Sequence, residues 1–327
     1  MEYRYLGRTG LQVSSLCLGT MQMGWLIDEE ASFRLLSAAY DRGINFIDTA
    51  DIYSRWAEGN PGGVAETIIG KWWRQAGIPR DRLVIATKVR GPMGEGPNTQ
   101  GLSRKHIMDA VHASLRRLQT DYIDLYQMHW YDANTPIEET LRTLDDLVRQ
   151  GKVRYIGVSN YPAWRLMEAL WVADKRGYVA FVSLQPHYNL LHREEFEREL
   201  MDVCRTYGLG VIPYSPLARG FLTGKYRRGQ EIPREGRAAT DRTLQRYLSD
   251  PKYFDILEQL EAMAQAKGCT LTQLALAWLL ANPVVTSPII GPRTIEQLED
   301  NLGALEVQLT SEELETLNAL TDWRKKA

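Results

Sequence analysis

The sequence predicts a single (β/α)₈ barrel, and three observations carry that prediction. Eight short runs rich in β-branched residues recur along 327 residues, most of them apolar on successive positions, as strands buried on both faces require. Segments with helical periodicity alternate with the runs, which points to a parallel sheet wrapped in helices. No GxGxxG follows the first run: Leu18-Gly19-Thr20-Met21-Gln22-Met23-Gly24 lacks the spacing, which argues against a doubly wound open sheet. A prior of roughly 150 residues per domain would suggest two domains, but α/β barrels commonly use about 250 for one. The expected organisation is one barrel domain over 1–327, with its excess length in an N-terminal hairpin, a long loop after the seventh strand and extra C-terminal helices.

In chain order, Tyr3 to Leu6 and Leu11 to Val13 form a hairpin around Gly7-Arg8-Thr9-Gly10. Leu16–Gly19, Ile44–Asp48, Leu83–Lys88 and Ile123–His129 supply four barrel strands. Arg154–Val158, Phe181–Gln185, Gly210–Tyr214 and Pro288–Gly291 supply the other four. Asp28 caps a helix with Leu35, Leu36, Ala39 and Tyr40 on one face, and Gly43 ends it. Ser103 opens another, with Ile107, Val111, Leu115 and Leu118 at helical spacing. Thr135-Pro136-Ile137-Glu138 reads as a capping box with proline at the first helical position. Its stripe is Ile137, Leu141, Leu144 and Val148, and it stops at Gly151. Thr294, with Gln297 three residues on, and Thr310 open the C-terminal helices. Residues 216–250 break the rhythm with eight lysines and arginines against four acids, either a solvated surface excursion or a long loop that closes over an anionic ligand.

Composition removes several functions. The 39 Lys+Arg and 41 Asp+Glu give a net charge of −2, without the basic excess that nucleic acid demands. No run approaches the roughly 18 apolar residues of a membrane helix. MEYRYLGRTG carries charges where a signal peptide is apolar. Cys17, Cys204 and Cys269 are odd in number and far apart, so neither a disulfide framework nor a thiolate metal site is expected. The expectation is a cytoplasmic protein acting on a small molecule, without metal, nucleic acid or membrane partner; homo-oligomerisation stays open.

Chemistry in a barrel belongs at the C-terminal ends of its strands. Those ends read Asp48, Lys88, His129, Ser159-Asn160, Gln185, Tyr214-Ser215 and Gly291, each after an apolar run. Seven successive strands ending in polar or ligand-contacting residues mark a site. Trp25, Trp56 and Trp130 each follow a strand and are placed to wall a substrate pocket.

Phe46-Ile47-Asp48-Thr49-Ala50-Asp51-Ile52-Tyr53, Ile85-Ala86-Thr87-Lys88-Val89, Tyr126-Gln127-Met128-His129 and Gly157-Val158-Ser159-Asn160 together resemble the aldo-keto reductase superfamily. Tyr214 through Gly220, Gly224-Lys225, Gly291-Pro292-Arg293, Glu296-Gln297 and Asp300-Asn301 extend the resemblance in order along the chain. It is nearest the bacterial members related to potassium-channel β-subunits and general stress reductases.

The resemblance implies reduction of aldehydes or ketones with a nicotinamide cofactor, and it implies a catalytic set of Asp48, Tyr53, Lys88 and His129. Tyr53 would be the general acid and His129 would polarise the carbonyl. Lys88, fixed by Asp48, is expected to lower the phenol's pKa. The resemblance further implies that Ser159, Asn160 and Gln185 hold the carboxamide, and that Tyr214 stacks on the nicotinamide, with Thr20, Met21 and Asp48 beside it. Ser215, Pro216, Leu217, Arg219, Gly220 and Lys225 would cover the pyrophosphate. Ile290, Gly291, Arg293, Gln297, Asp300 and Asn301 would meet the adenosine end. Arg293 beside a helix N-terminus suits a 2′-phosphate, so NADP(H) is expected over NAD(H). Two departures stand out: Ser54 follows Tyr53 where glycine is usual, which leaves the loop path open, and Ala65 precedes Glu66 where serine is common. The rivals are a Schiff-base aldolase using Lys88 and a cofactor-occupied regulatory protein.

Overall fold

The computed structural model describes residues 1–230 and 241–325. β1 (Tyr3–Tyr5) and β2 (Gln12–Ser14) pair antiparallel as the hairpin. The barrel strands are β3 (Cys17–Gly19), β4 (Phe46–Asp48), β5 (Val84–Val89), β6 (Ile123–Met128), β7 (Val153–Ser159), β8 (Ser183–Gln185), β9 (Gly210–Val211) and β10 (Ile289–Ile290). They form one parallel sheet in the order β10-β3-β4-β5-β6-β7-β8-β9. Its two edges then meet: Thr286 N–H donates to Val211 O at 2.7 Å and Ile289 N–H to Pro213 O at 2.8 Å. This is the (β/α)₈ barrel the alternation of runs predicts. β9 and β10 are shorter than the sequence suggests because Pro213 and Pro288 bring no N–H to the ladder.

Between the strands run α1 (Glu29–Asp41), α2 (Val64–Gln75), α3 (Arg104–Leu118), α4 (Ile137–Arg149), α5 (Ala163–Arg176) and α6 (Met201–Tyr207). Asp28 caps α1 by accepting from Ala31 N–H, and Ser103 caps α3 by accepting from His106 N–H. The start of α4 differs from expectation. Pro136 is the cap residue rather than the first helical one, and the Thr135 hydroxyl donates to Asp132 at 2.8 Å instead of closing a capping box. A carboxylate three residues upstream is a stronger acceptor for that hydroxyl than the helix end offers. Trp72 and Trp73 on α2 are buried against the barrel, each indole N–H satisfied, by Ser37 and by Leu118 O.

The stretch after β9 is not all loop. Ala218–Thr223 makes a 3₁₀ turn, and α7 (Arg242–Ser249) starts at Asp241, whose carboxylate accepts from Thr243 and Leu244 N–H. Arg234 and Arg237 lie outside the described residues. α8 (Pro251–Lys267) and α9 (Leu271–Ala281) follow, then α10 (Ile295–Gly303) and α11 (Ser311–Leu320) after β10. α11 has a full capping box between Thr310 and Glu313.

The barrel is filled from below. Leu6 and Val13 of the hairpin pack with Cys17, Phe46, Val84, Ala86, Leu125, Ile212 and Ile289 in one buried apolar cluster. Gly7 allows that docking: a Cβ there would lie 2.6 Å from both Gly208 O and Gly210 N. No helix among the described residues is long and apolar enough to cross a membrane.

Candidate active site

Above the apolar plug, the inward positions turn polar. Lys88, the penultimate residue of β5, is wholly buried, and its ammonium donates to Asp48 Oδ2 at 2.6 Å, Thr49 O at 2.8 Å and Tyr53 Oη at 2.9 Å. Asp48 Oδ1 is held by the Gln127 and Gln185 amides at 3.1 and 2.8 Å. The three groups thus form one chain, carboxylate to ammonium to phenol. Burial alone would lower the Lys88 pKa, but Asp48 and Tyr53 outweigh it and hold the ammonium above its ordinary range. For Tyr53 the balance goes the other way. Burial raises the phenol pKa, Lys88 pulls it back, and the net is upward, contrary to the lowering expected from the lysine alone. Tyr53 therefore holds its proton at neutral pH, while Lys88 stands ready to stabilise the phenolate once that proton leaves.

His129 follows β6 across the mouth. Burial, with Lys88 and Arg90 adding to it, drives its pKa well below the usual value, so the imidazole is neutral and keeps one N–H. Its ring stacks on Trp130 at 3.8 Å and meets Tyr53 edge-on at 6.0 Å. Its Nδ1 is buried without a hydrogen-bond partner. A neutral donor beside a protonated phenol is an arrangement that can bind a carbonyl oxygen and protonate it.

These groups open into a cavity of ≈ 1030 Å³. Buried Thr20, Asp48 and His129, half-buried Met21 and Tyr53, and the exposed rings of Trp56 and Trp130 line it, as do Ser159, Asn160, Gln185 and Tyr214. Ser215, Pro216, Leu217, Arg219, Gly220 and Lys225 form one side of the outer arm; Ile290, Gly291, Arg293, Gln297, Asp300 and Asn301 form the other. Lys88 lies behind this surface. Trp25 is the exception among the predicted pocket residues: it does not face the cavity but braces Trp56 edge-on at 5.6 Å. The loop carrying Trp25 turns back after Gln22, whose carbonyl accepts from Trp25 and Leu26 N–H, and Leu26 takes the place on the wall.

The middle of the cavity is hydrogen-bonded in series. Tyr214 Oη donates to Asn160 Oδ1 at 2.9 Å, Asn160 Nδ2 donates to His129 O, and Ser159 Oγ donates to Gln185 O. Tyr214 presents one ring face to the cavity because the other stacks on His187 at 5.0 Å, which stacks in turn on His192 at 3.9 Å. Burial, then His192 and Arg219, push the His187 pKa down to about 3.

The backbone is bent to make this mouth. Ser54, Asn160, Ser215, Ala218 and Arg219 all have φ between 48° and 71°, a region that costs a non-glycine residue of order 1–3 kcal/mol. Ser54 explains the departure noted above: glycine suits φ 71°, and serine manages it with its hydroxyl donating to Met23 O at 2.6 Å. At the outer end, Thr294 caps α10 by accepting from Gln297 N–H, and Gln297 Oε1 accepts from Arg293 N–H at 2.8 Å. The Arg293 guanidinium has no ion-pair partner among the described residues, whereas Arg219 faces Asp241 at 3.5 Å.

Three site residues escaped the sequence reading. Gln127 holds Asp48; its signal was the inward alternation two residues before His129. Gln22 spans Gly19 O and Pro292 O, joining the first and last barrel strands, and no pattern announces it. His187 backs Tyr214 from a loop position without periodicity.

The sequence profile described as "Aldo/keto reductase family" matches residues 15–322. The chain belongs to the aldo/keto reductase family. The "Uncharacterized oxidoreductase YrpG" of Bacillus subtilis (strain 168) is 46% identical over 322 residues, covering 97% of this chain and 95% of that one. The "Versiconal hemiacetal acetate reductase" of Aspergillus parasiticus is 38% identical, covering 97% and 96%. A "Probable voltage-gated potassium channel subunit beta" of Oryza sativa subsp. japonica is 38% identical over 100% of this chain and 98% of its own. This aldo/keto reductase is accordingly an NAD(P)H-dependent oxidoreductase acting on small carbonyl compounds.

Proposed function

We propose that residues 1–327 act as one domain that reduces aldehydes and ketones to alcohols with NADPH, Tyr53 supplying the proton. The observation that carries this reading is the Asp48–Lys88–Tyr53 chain facing a neutral His129 at the deep end of the cavity. His129 holds the substrate oxygen in place, and Tyr53 Oη transfers its proton to that oxygen as the C–O bond becomes single. Lys88, locked by Asp48, stabilises the phenolate left behind until water returns the proton. A bound nicotinamide dinucleotide supplies the hydride.

The cavity suits that cofactor. Its wall includes the flat ring of Tyr214 and the cationic side chains of Arg219, Lys225 and Arg293. The buried Nε of Arg219 faces the Asp241 carboxylate at 3.5 Å without making a hydrogen bond, and a pyrophosphate oxygen would satisfy it. Arg293, unpaired next to a capped helix start, supports a 2′-phosphate and hence NADP(H) over NAD(H). The aldolase reading fits less well: a nucleophilic lysine must shed its proton, and Lys88 is held protonated by three acceptors.

The test is NADPH oxidation with 4-nitrobenzaldehyde by the parent and Tyr53→Phe. The variant should lose roughly 10²- to 10⁴-fold in kcat while still quenching NADPH fluorescence. A variant as fast as the parent would remove Tyr53 from the mechanism.

A further inference from the structure

A second depression adjoins the catalytic cavity, and two residues line both. It is a groove of ≈ 560 Å³ in which Ile52 and Trp56 line both spaces. Its far wall is built rather than loose. Met93 N–H donates to Thr99 O at 2.9 Å, and the Thr99 hydroxyl donates to Gly94 O and Gly96 O, folding 93–99 back on itself. The floor is close-packed: a Cβ on Gly62 would stand 3.1 Å from Met93 Cε and 3.4 Å from Arg55 Cβ. Asn60 is fully committed to Gly24 O and Gly62 N–H.

The distribution of charge distinguishes the two spaces. Around the reactive pair the side walls are Leu26, Ile52, Trp56 and Trp130, none of them charged. In the groove, half-buried Arg55 and exposed Glu95 carry charge, and neither has an ion-pair partner among the described residues. A short polyhydroxylated aldehyde would leave the tryptophans uncovered and its hydroxyls facing apolar walls. A flat apolar body would cover them.

We propose that this groove is a distal substrate subsite, and that the enzyme takes elongated aryl carbonyls. The first ring lies against Trp56, the second rests on Ile52 and Met93, and an acceptor atom at the far end meets Arg55. The proposal rests on the placement of the carbonyl at Tyr53 and His129 given above.

The test compares benzaldehyde, biphenyl-4-carbaldehyde and its 4′-methoxy derivative with NADPH. The second ring should raise kcat/KM roughly tenfold over benzaldehyde. Met93→Trp, which fills the groove, should bring that ratio toward one, and Arg55→Met should abolish only the further gain from the methoxy oxygen. Ratios near one in the parent, or an unchanged ratio in Met93→Trp, would overturn the subsite. Calorimetric titration with benzyl alcohol and biphenyl-4-methanol separates the two readings. If no carbonyl is turned over, the proposed reaction fails, but tighter binding of the biphenyl alcohol that Met93→Trp removes still supports the groove. Equal binding of the two alcohols overturns it.

Discussion

The two halves of the barrel interior are made by the same strands and have opposite chemistry. β4 carries Phe46 in the lower half and Asp48 in the upper; β5 runs Val84, Ala86, Lys88; β6 runs Leu125, Gln127 and then His129. Two residues along a strand, roughly 7 Å, separate a dry plug from a hydrogen-bonded ionic network. The lower half owes its order to shape and burial. The upper half owes it to each polar atom finding a partner, and its bent backbone shows that this order is bought with strain. Stability and chemistry are therefore assigned to different ends of one sheet.

That division predicts how the molecule fails. The largest effect is expected for Lys88→Met, which leaves the Asp48 carboxylate buried without its counterion. Stability should fall by roughly 3–5 kcal/mol and carbonyl reduction by 10³-fold or more. Denaturant unfolding and NADPH oxidation measure the two losses, and a fully stable but inactive variant would show the network to be catalytic only. Phe46→Ala, one pleat below Asp48, should also cost roughly 3–5 kcal/mol by opening a cavity, yet keep near-parental kcat per folded molecule. A matching fall in kcat would mean that the plug and the site are coupled. Arg293→Ala probes the solvent end of the cavity. We expect it to weaken NADPH binding by roughly 1.5–3 kcal/mol and NADH by much less, read by fluorescence titration. Equal losses would remove the 2′-phosphate argument.

The smallest effect is one of pH. His187 and His129 are held neutral when folded but take up protons near 6.5 when unfolded, so the unfolded state binds the extra proton below that pH. Their contribution is complete above pH 6.5 and declines as pH falls, for His187 down to its folded value of about 3. Each should add about 1.4 kcal/mol per pH unit to the slope of stability between pH 6.5 and 5. His187→Asn should flatten that slope by this amount; an unchanged slope would show that His187 is charged in the folded protein.

Much of this was legible in the sequence, for reasons that differ by element. Strands such as Leu83–Lys88 announce themselves because both faces are buried and the run Leu83-Val84-Ile85-Ala86 is apolar on successive positions. The caps at Asp28, Ser103 and Thr310 are local chemistry and transfer directly. Thr135 misled because the competing acceptor, Asp132, lies outside the helix grammar. Trp25 misled because the sequence places it in a mouth loop without saying which way the loop turns. The direction of the Tyr53 shift was invisible for another reason. It is a contest between burial and one ammonium, and no motif reports burial.

The way the barrel closes also bears on how it is made. Ile289 pairs with Cys17, a separation of 289 − 17 = 272 residues. Until β10 has left the ribosome, β3 and β9 are open edges of a half-finished sheet, and unpaired edges invite association with other chains. Gln22 then ties Gly19 to Pro292 across the same seam. A chain stopped before residue 289 would lack both connections. It should accumulate as an aggregation-prone, open-edged species rather than as a smaller working enzyme.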